Sequence, residues 1–501
     1  MIGRVISFNN TPSTTEFYFL VLGDVRKGQF VEVSDPQGAV IAFVNEIFRL
    51  NRYFEDPEIV SDYEREGGII NHFPHQEGEY IVALARTMGR KSPEGMFIRS
   101  FTPPSPGKDV FLMPDSDLSK FIGFAQEGLS IGTVQNHSTK AVLDFNRTLQ
   151  KHMAILAMSG AGKSYLTTVI IEELVNSQLP TPAVVVMDMH NEYSDFKHDP
   201  SFSKKTTLVD AKEIRIPVTK LNPSCLSEWF ELSTPQERLY SECFSQFKEA
   251  IREQNLKPSL KNLIEIVEAS GSREKNKNKV STVNELVGRL HELGKMRLVG
   301  SSERPKVKEL STNSLLVFNL EGLDSLRQRQ IVVSYFGRRL FELRKKNKVP
   351  PFLMVIEEAH NFASEQRKFD TISRGIIEKI AREGRKFGSS LCLITQRPSH
   401  ISNTALSQCN THIILRMMNP NDLKKVAESC EGIDDRMVQS ITTLQVGDAI
   451  VVGEAVNFPV FLRIRKRVCR KYTSKGSDII EQCREFNRSK KEEKEQVESF
   501  L

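Results

Sequence analysis

Ala157-Met-Ser-Gly-Ala-Gly-Lys163-Ser164 lies between an apolar run, Met153-Ala-Ile-Leu156, and a helix-like run, Tyr165-Leu-Thr-Thr-Val-Ile-Ile171. A strand, a glycine turn and a helix start in that order aim backbone N–H groups and a lysine at one point where phosphate oxygens can sit. The stretch therefore predicts a nucleoside triphosphate site. The spacing G-x-x-x-x-G-K-[ST] has Ala157 in place of its first glycine. Its demanding positions are kept, because Gly160 and Gly162 supply the tight turn, Lys163 the ammonium and Ser164 a hydroxyl for Mg²⁺. The expected nucleotide-contacting residues are Ser159, Gly160, Ala161, Gly162, Lys163, Ser164 and Tyr165, with ATP and Mg²⁺ as cofactors.

Outward from this loop, short apolar runs recur at Ala183–Asp188, Ser314–Phe318, Phe352–Ile356, Ser390–Ile394 and Thr411–Leu415. Several are separated by amphipathic helical stretches, notably Asp324–Lys346 and Ser373–Phe387. Alternation of that kind implies a doubly wound α/β domain with a parallel sheet covered by helices. From about Leu226 to Arg304 the pattern turns to polar helical segments before strands resume, which reads as an insertion within the α/β unit. The first 117 or so residues are β-rich, punctuated by Asp35-Pro-Gln-Gly38 and Pro103-Pro-Ser-Pro-Gly107, as expected for a small barrel followed by a linker. The division is an N-terminal barrel and linker over 1–120, an ATPase core over 121–225 and 305–460, a helical insertion over 226–304 and a basic C-terminal arm over 461–501.

Composition narrows the class. With 39% hydrophobic and 26% charged residues the chain reads as globular, and 501 residues exceed one ordinary core. No stretch approaches the roughly 18 apolar residues of a membrane span, and the N-terminus lacks a secretory hydrophobic region, so no membrane partner and a cytoplasmic location are expected. Seven scattered cysteines with no C-x-x-C pair indicate neither a disulfide framework nor a zinc knuckle, and Cys392 reads as a small buried hydrophobe. His72 and His75 lack the partners of a metal site. A net charge of +6 does not by itself argue for nucleic acid, although Arg463–Lys471 is densely basic and Lys275–Lys279 forms a smaller cluster.

Several residues carry the expected chemistry. Glu357 and Glu358 follow an apolar strand, at the sheet edge where parallel α/β sheets bind ligands. A metal–triphosphate site needs one acid near Mg²⁺ and one acting on water, and Glu357 and Glu358 suit those roles respectively, although the sequence does not order them. Gln396, after the next strand, places an amide at the same edge to meet the γ-phosphate or the attacking water. Arg382 and Arg385, pointing away from the Ile376/Ile380 stripe, are arginine-finger candidates in that order, with Arg147 third. Asp188 and Glu192 can position water, metal or a subunit contact, or serve structural hydrogen bonding.

Ala157–Ser164, Asp188-Met-His-Asn-Glu-Tyr193, Ile356-Glu-Glu-Ala-His360, Ala381–Gly388 and Thr395-Gln-Arg-Pro-Ser399 occur in this order. Together they resemble HerA, the archaeal DNA translocase/helicase family of the HerA/FtsK superfamily, over nearly the whole chain. The resemblance implies a RecA-like P-loop ATPase core and an N-terminal barrel similar to the one HerA shares with ATP-synthase subunits. It further implies a homo-hexamer around double-stranded DNA, ATP at subunit interfaces, and a NurA-type nuclease partner on the barrel face. Action with the double-strand-break repair nuclease complex in end resection for homologous recombination, and a C-terminal arm bracing a neighbour, are also implied. A related ring ATPase that moves polypeptide remains the alternative, since the phosphate chemistry would be the same.

Overall fold

The computed structural model describes residues 1–9, 11–51, 78–272, 277–365 and 371–471, with isolated positions at 54, 58, 60, 61, 65, 480, 483, 484, 486–488 and 490. His72, His75, part of the 275–279 lysine cluster and most of the charged tail over 489–496 lie outside the described residues. The chain forms two compact units. The first comprises Met1–Leu166, Gln396–Ser399 and Ser407–Arg465, and the second Thr167–Thr395, His400–Leu406 and Lys466–Leu501.

The first unit opens with strands β1 (Gly3–Ile6), β2 (Glu16–Val21), β3 (Phe30–Val33), β4 (Ala39–Asn51), β5 (Glu79–Lys91), β6 (Phe97–Ile98) and β7 (Asp109–Leu112). Six of them run in the order β2-β1-β7-β3-β4-β5, and β2 pairs with β5 to close a barrel, with β6 added beside β5. Alternation explains the closure: Phe17, Phe19, Val31, Val33, Val40, Ala42 and Val44 turn inward to one core with Ala83, Ala85 and Val110. Register shifts at Ile41/Ala42 and Val44/Glu46 bend the long β4–β5 pair, as bulges do where a sheet must curl. Gly3 permits close approach, since a Cβ there would sit 2.5 Å from the Leu20 carbonyl oxygen.

Strands β8 (Leu129–Val134), β9 (Lys140–Leu143) and β10 (Met153–Leu156) follow in the same unit. The second unit supplies β11 (Ala183–Asp188), β12 (Thr206–Asp210), the short β13 (Ile216–Pro217) and β14 (Val299–Gly300), β15 (Leu315–Asn319), β16 (Phe352–Ile356) and β17 (Ser389–Thr395). The chain then returns to the first unit with β18 (Thr411–Ile414), β19 (Asp448–Gly453) and β20 (Val460–Ile464).

Within the first unit β18 is parallel to β10, while β19, β20, β8 and β9 extend the sheet antiparallel. This antiparallel wing departs from the expectation, and it takes residues 461–464 out of the expected arm over 461–501. Val460, Leu462 and Ile464 alternate inward, so the basic residues between and after them do not stop the strand. The barrel joins this wing through Phe30 N–H, which donates to His137 Nε2 at 2.9 Å, and through Phe43 stacked on Phe461 at 6.2 Å. Phe121 stacks on Phe458 at 4.6 Å.

In the second unit the order is β12-β15-β11-β16-β17, every pair parallel. Strands β11, β15, β16 and β17 are buried along their length, which is why they read as continuous apolar runs. The edge strand β12 escaped that reading because it pairs on one side only and keeps polar Thr207 and Asp210 exposed. Cys392 is buried in β17, and burial pushes its thiol up to about 12. Between β13 and β14, which pair in parallel, stand helices Pro223–Phe230, Thr234–Glu253, Leu260–Ser272 and Lys277–Lys295. A Ser233/Gln236 capping box starts the longest, and Trp229, Tyr240, Phe244 and Phe247 bury their common face. Among the described residues no helix is long and apolar enough to cross a membrane.

The basic stretch ends on its own unit. Val468 and Cys469 donate their N–H groups to Glu172 Oε1, both at 2.8 Å, and Arg470 N–H donates to Asp199 Oδ2 at 2.9 Å. Arg467 meets Asp195 at 3.4 Å. Glu172, on helix Lys163–Asn176, and Asp195 and Asp199 are all buried, so the segment supplies hydrogen-bond or ion-pair partners to three buried carboxylates. Glu172→Ala removes the acceptor of the buried Cys469 N–H and of the part-buried Val468 N–H beside it, and is expected to cost about 1–3 kcal/mol, the penalty of one buried unsatisfied donor. Glu172→Gln, whose amide oxygen still accepts, should lose less. Urea midpoints check this, and an unchanged midpoint for Glu172→Ala would show that the segment contributes nothing to stability.

Candidate active site

The phosphate loop leaves β10 inside the first unit. Leu415 N–H donates to Leu156 O at 2.9 Å and Met158 N–H to Arg416 O at 3.0 Å, so β18 holds the loop's entry in place. Gly160 and Gly162 have φ of +74° and +103°, the left-handed region that makes glycine necessary at both positions. Ala157 does not share that conformation, and its methyl group is fully buried beside the strand. The consensus glycine is therefore dispensable at 157 on this backbone. A Cβ built on Gly160 would meet nothing within 4 Å, so the loop leaves open room of the kind a phosphate chain requires. Lys163 and Ser164 begin the following helix, whose first-turn N–H groups and dipole favour an anion. Tyr165 is exposed beside them, as is Ser159.

In the second unit a single backbone feature separates the adjacent glutamates. Strand β16 lies between β11 and β17, and Glu358 adopts φ 46° and ψ 48°, a left-handed conformation that costs a non-glycine residue about 1–2 kcal/mol. Glu357 consequently turns toward β11. Its Oε1 accepts from Tyr193 Oη at 2.9 Å and its Oε2 from Met189 N–H at 3.3 Å. Glu358 turns toward β17, its Oε2 lying 3.4 Å from His360 Nδ1. The same His360 nitrogen is 3.1 Å from Thr395 Oγ1, at the end of β17.

Asp188 ends β11 and organises the turn after it. Its carboxylate accepts N–H groups from His190, Glu192 and Tyr193 at 3.2, 3.1 and 3.0 Å. This is the structural hydrogen bonding that the sequence left open, and it is made with Asn191 at φ +57°. Burial raises the pKa of Glu357 well above the ordinary carboxylate range, and the nearby Asp188 and Glu192 charges add to the effect. Asp188 is also raised by burial, but its three N–H donors favour its charged form, so the pair's proton belongs on Glu357. Tyr193, fully buried beside them, is pushed well above its normal value for the same reason.

Gln396 is half-buried at the exit of β17. The turn after it is anchored in the first unit, where Ser399 N–H and Oγ both reach Asp422 Oδ1, at 3.1 and 2.6 Å. Arg382 and Arg385 are exposed, as the Ile376, Ile377 and Ile380 stripe required, and Gly388 ends the segment at φ +62°. Arg382 lies 3.7 Å from Glu378, which Ser402 and Arg374 engage at shorter range. Arg147 is committed elsewhere: it donates to the Gly123 carbonyl at 3.2 Å and to Asn457 Oδ1 at 3.0 Å. The structure thus brings Asp188, Glu192 and Glu357 together and leaves both helix arginines facing outward.

Residues 129–340 match the family model for the central domain of helicase HerA. A DNA double-strand break repair helicase HerA of Sulfurisphaera tokodaii is 27% identical over 488 residues, 93% of each chain. The chain thus carries a region similar to the HerA central domain and resembles HerA helicases over most of its length. A probable helicase of Methanocaldococcus jannaschii is 28% identical over 470 residues, 90% of this chain and 88% of that one. Among solved structures, VirB4 of Thermoanaerobacter pseudethanolicus aligns with TM-score 0.54 at 12% identity, covering 68% of this chain and 97% of that one. Plasmid coupling protein TrwB, in complex with an ATP analogue, aligns with TM-score 0.52 at 11% identity, covering 72% and 94%. The fold is accordingly that of a P-loop ATPase with an N-terminal closed six-stranded barrel, and the chain is an ATP-hydrolysing enzyme.

The sequence reading gave no role to Tyr193, His360 or Thr395. All three stood inside motifs named above, but their partners come from other strands, and no local spacing announces such contacts. A hydroxyl residue ending the apolar run of β17 was the one available hint for Thr395.

Proposed function

We propose that this chain is a HerA-type, ATP-driven translocase of double-stranded DNA, acting as a hexameric ring with a NurA-type nuclease in the resection of broken ends. Likeness over 93% of the chain to a DNA double-strand break repair helicase HerA carries the reading. Lys163 and the N–H groups of Ser159–Tyr165 would hold the triphosphate, and the Ser164 hydroxyl would serve Mg²⁺. When bound, Mg²⁺ would neutralise charge on the phosphate oxygens, and a cation held largely through those oxygens needs only one or two protein ligands. Glu357, whose two oxygens accept from Tyr193 and Met189, would support that cation from within its hydrogen-bonded cluster once it has given up its proton. Glu358 orients the attacking water, and Gln396 reports the γ-phosphate. Arg382 or Arg385, exposed and free to reach outward, serves a neighbouring subunit's nucleotide. The C-terminal arm braces a neighbour, and the protein works in the cytoplasm.

ATPase activity of the purified chain with and without linear duplex DNA, alongside its mass by light scattering, tests the proposal. Stimulation that weakens steeply with salt, as counterion release requires, and a mass near six chains are expected. No stimulation together with no DNA retention at low salt would overturn it in favour of a ring ATPase that moves polypeptide.

A further inference from the structure

Two neighbouring strands end in groups that share one imidazole nitrogen. His360 Nδ1 lies 3.4 Å from Glu358 Oε2 and 3.1 Å from Thr395 Oγ1, with Thr395 fully buried and the His360 and Glu358 side chains largely so. The turn carrying His360 is itself fixed. Asn361 N–H donates to Glu358 O at 2.8 Å, Gln330 Nε2 donates to Asn361 O at 2.7 Å, and Ser373 Oγ donates to Phe362 O at 2.7 Å. The ring is thus held from both sides rather than swinging in solvent.

We infer that His360 is a positioning residue: hydrogen-bonded to Thr395, the residue immediately before Gln396, its ring stands against the Glu358 carboxylate and limits where that carboxylate can point. The inference rests on the proposed role of Glu358 toward water. The Nδ1 hydrogen bond goes to the Thr395 hydroxyl, which can accept as well as donate, and Glu358 Oε2 is held against the ring at the longer distance of 3.4 Å. The left-handed backbone at Glu358 leaves its carboxylate extending away from the Glu357 cluster, with His360 at its side. A shift at Gln396 on a change of nucleotide would pull on Thr395 and, through the ring, on the carboxylate. Hydrolysis, and not nucleotide binding, is the step that should depend on His360.

The test measures kcat and KM for ATP in His360→Ala, His360→Asn, Thr395→Val and Glu358→Gln, with a melting temperature for each. His360→Ala should lower kcat by about tenfold to a hundredfold, the scale of lost orienting partners, with KM within about twofold and unchanged melting. His360→Asn, whose amide can stand where Nδ1 stood, should recover part of the loss. Thr395→Val should lose less than His360→Ala and add nothing in that background. A wild-type kcat in His360→Ala, or Asn no better than Ala, overturns the inference. Should His360→Ala not fold, the Asn and Val variants decide alone, and wild-type kcat in both overturns it. If Glu358→Gln stalls while His360→Ala does not, only this inference fails; if Glu358→Gln turns over normally, the reading of Glu358 fails first.

Discussion

Lys163→Ala is expected to lower ATP turnover by about a hundredfold to a thousandfold, the range seen when one preorganised electrostatic contact to the developing charge is removed. The reason is positional. Lys163 opens the helix after two glycines held at positive φ, so its ammonium and the first-turn N–H groups converge on one anion site, and no other lysine lies in the loop. Its side chain is only partly buried, so the fold should survive and the melting temperature should stay near wild type. Steady-state phosphate release measures the effect. Full turnover by the folded variant would remove the loop from the active site.

Glu358→Gln is the second large effect, with kcat down by about a hundredfold to ten-thousandfold and nucleotide still bound, because the amide keeps the shape but cannot accept a proton. The left-handed turn at Glu358 is kept by glutamine at similar cost, so the backbone that parts the two acids should hold. Binding of a fluorescent ATP analogue and single-turnover hydrolysis separate the two quantities. Lost binding, or hydrolysis at the wild-type rate, would sink the assignment. Glu357→Gln should behave differently, since it disturbs the bonds to Tyr193 and Met189 and the balance with Asp188.

Much of this was legible in the chain because it is local. Positive φ at Gly160 and Gly162 belongs to those residues, and the apolar runs of β11, β15, β16 and β17 announce strands buried on both faces wherever they end up. Helical periodicity placed Arg382 and Arg385 on the outer face without knowledge of what the inner face touches. Strand β12 and the antiparallel wing were not legible, since an edge strand and a half-covered sheet carry weaker apolar patterns.

By itself, then, the sequence determined the phosphate loop, the strands that end in acids, the outward arginines and the β-rich character of the first segment. Only the tertiary structure decided that β2 pairs with β5 to close the barrel, and that residues 467–470 dock on Glu172, Asp195 and Asp199. It also decided that Glu357 belongs with Asp188 and Tyr193 while Glu358 belongs with His360 and Thr395. The physical reason is the reach of each rule. Turn chemistry and periodicity act over a few residues, whereas a carboxylate's partners follow from strand order, and strand order is set by which distant segments bury their faces together.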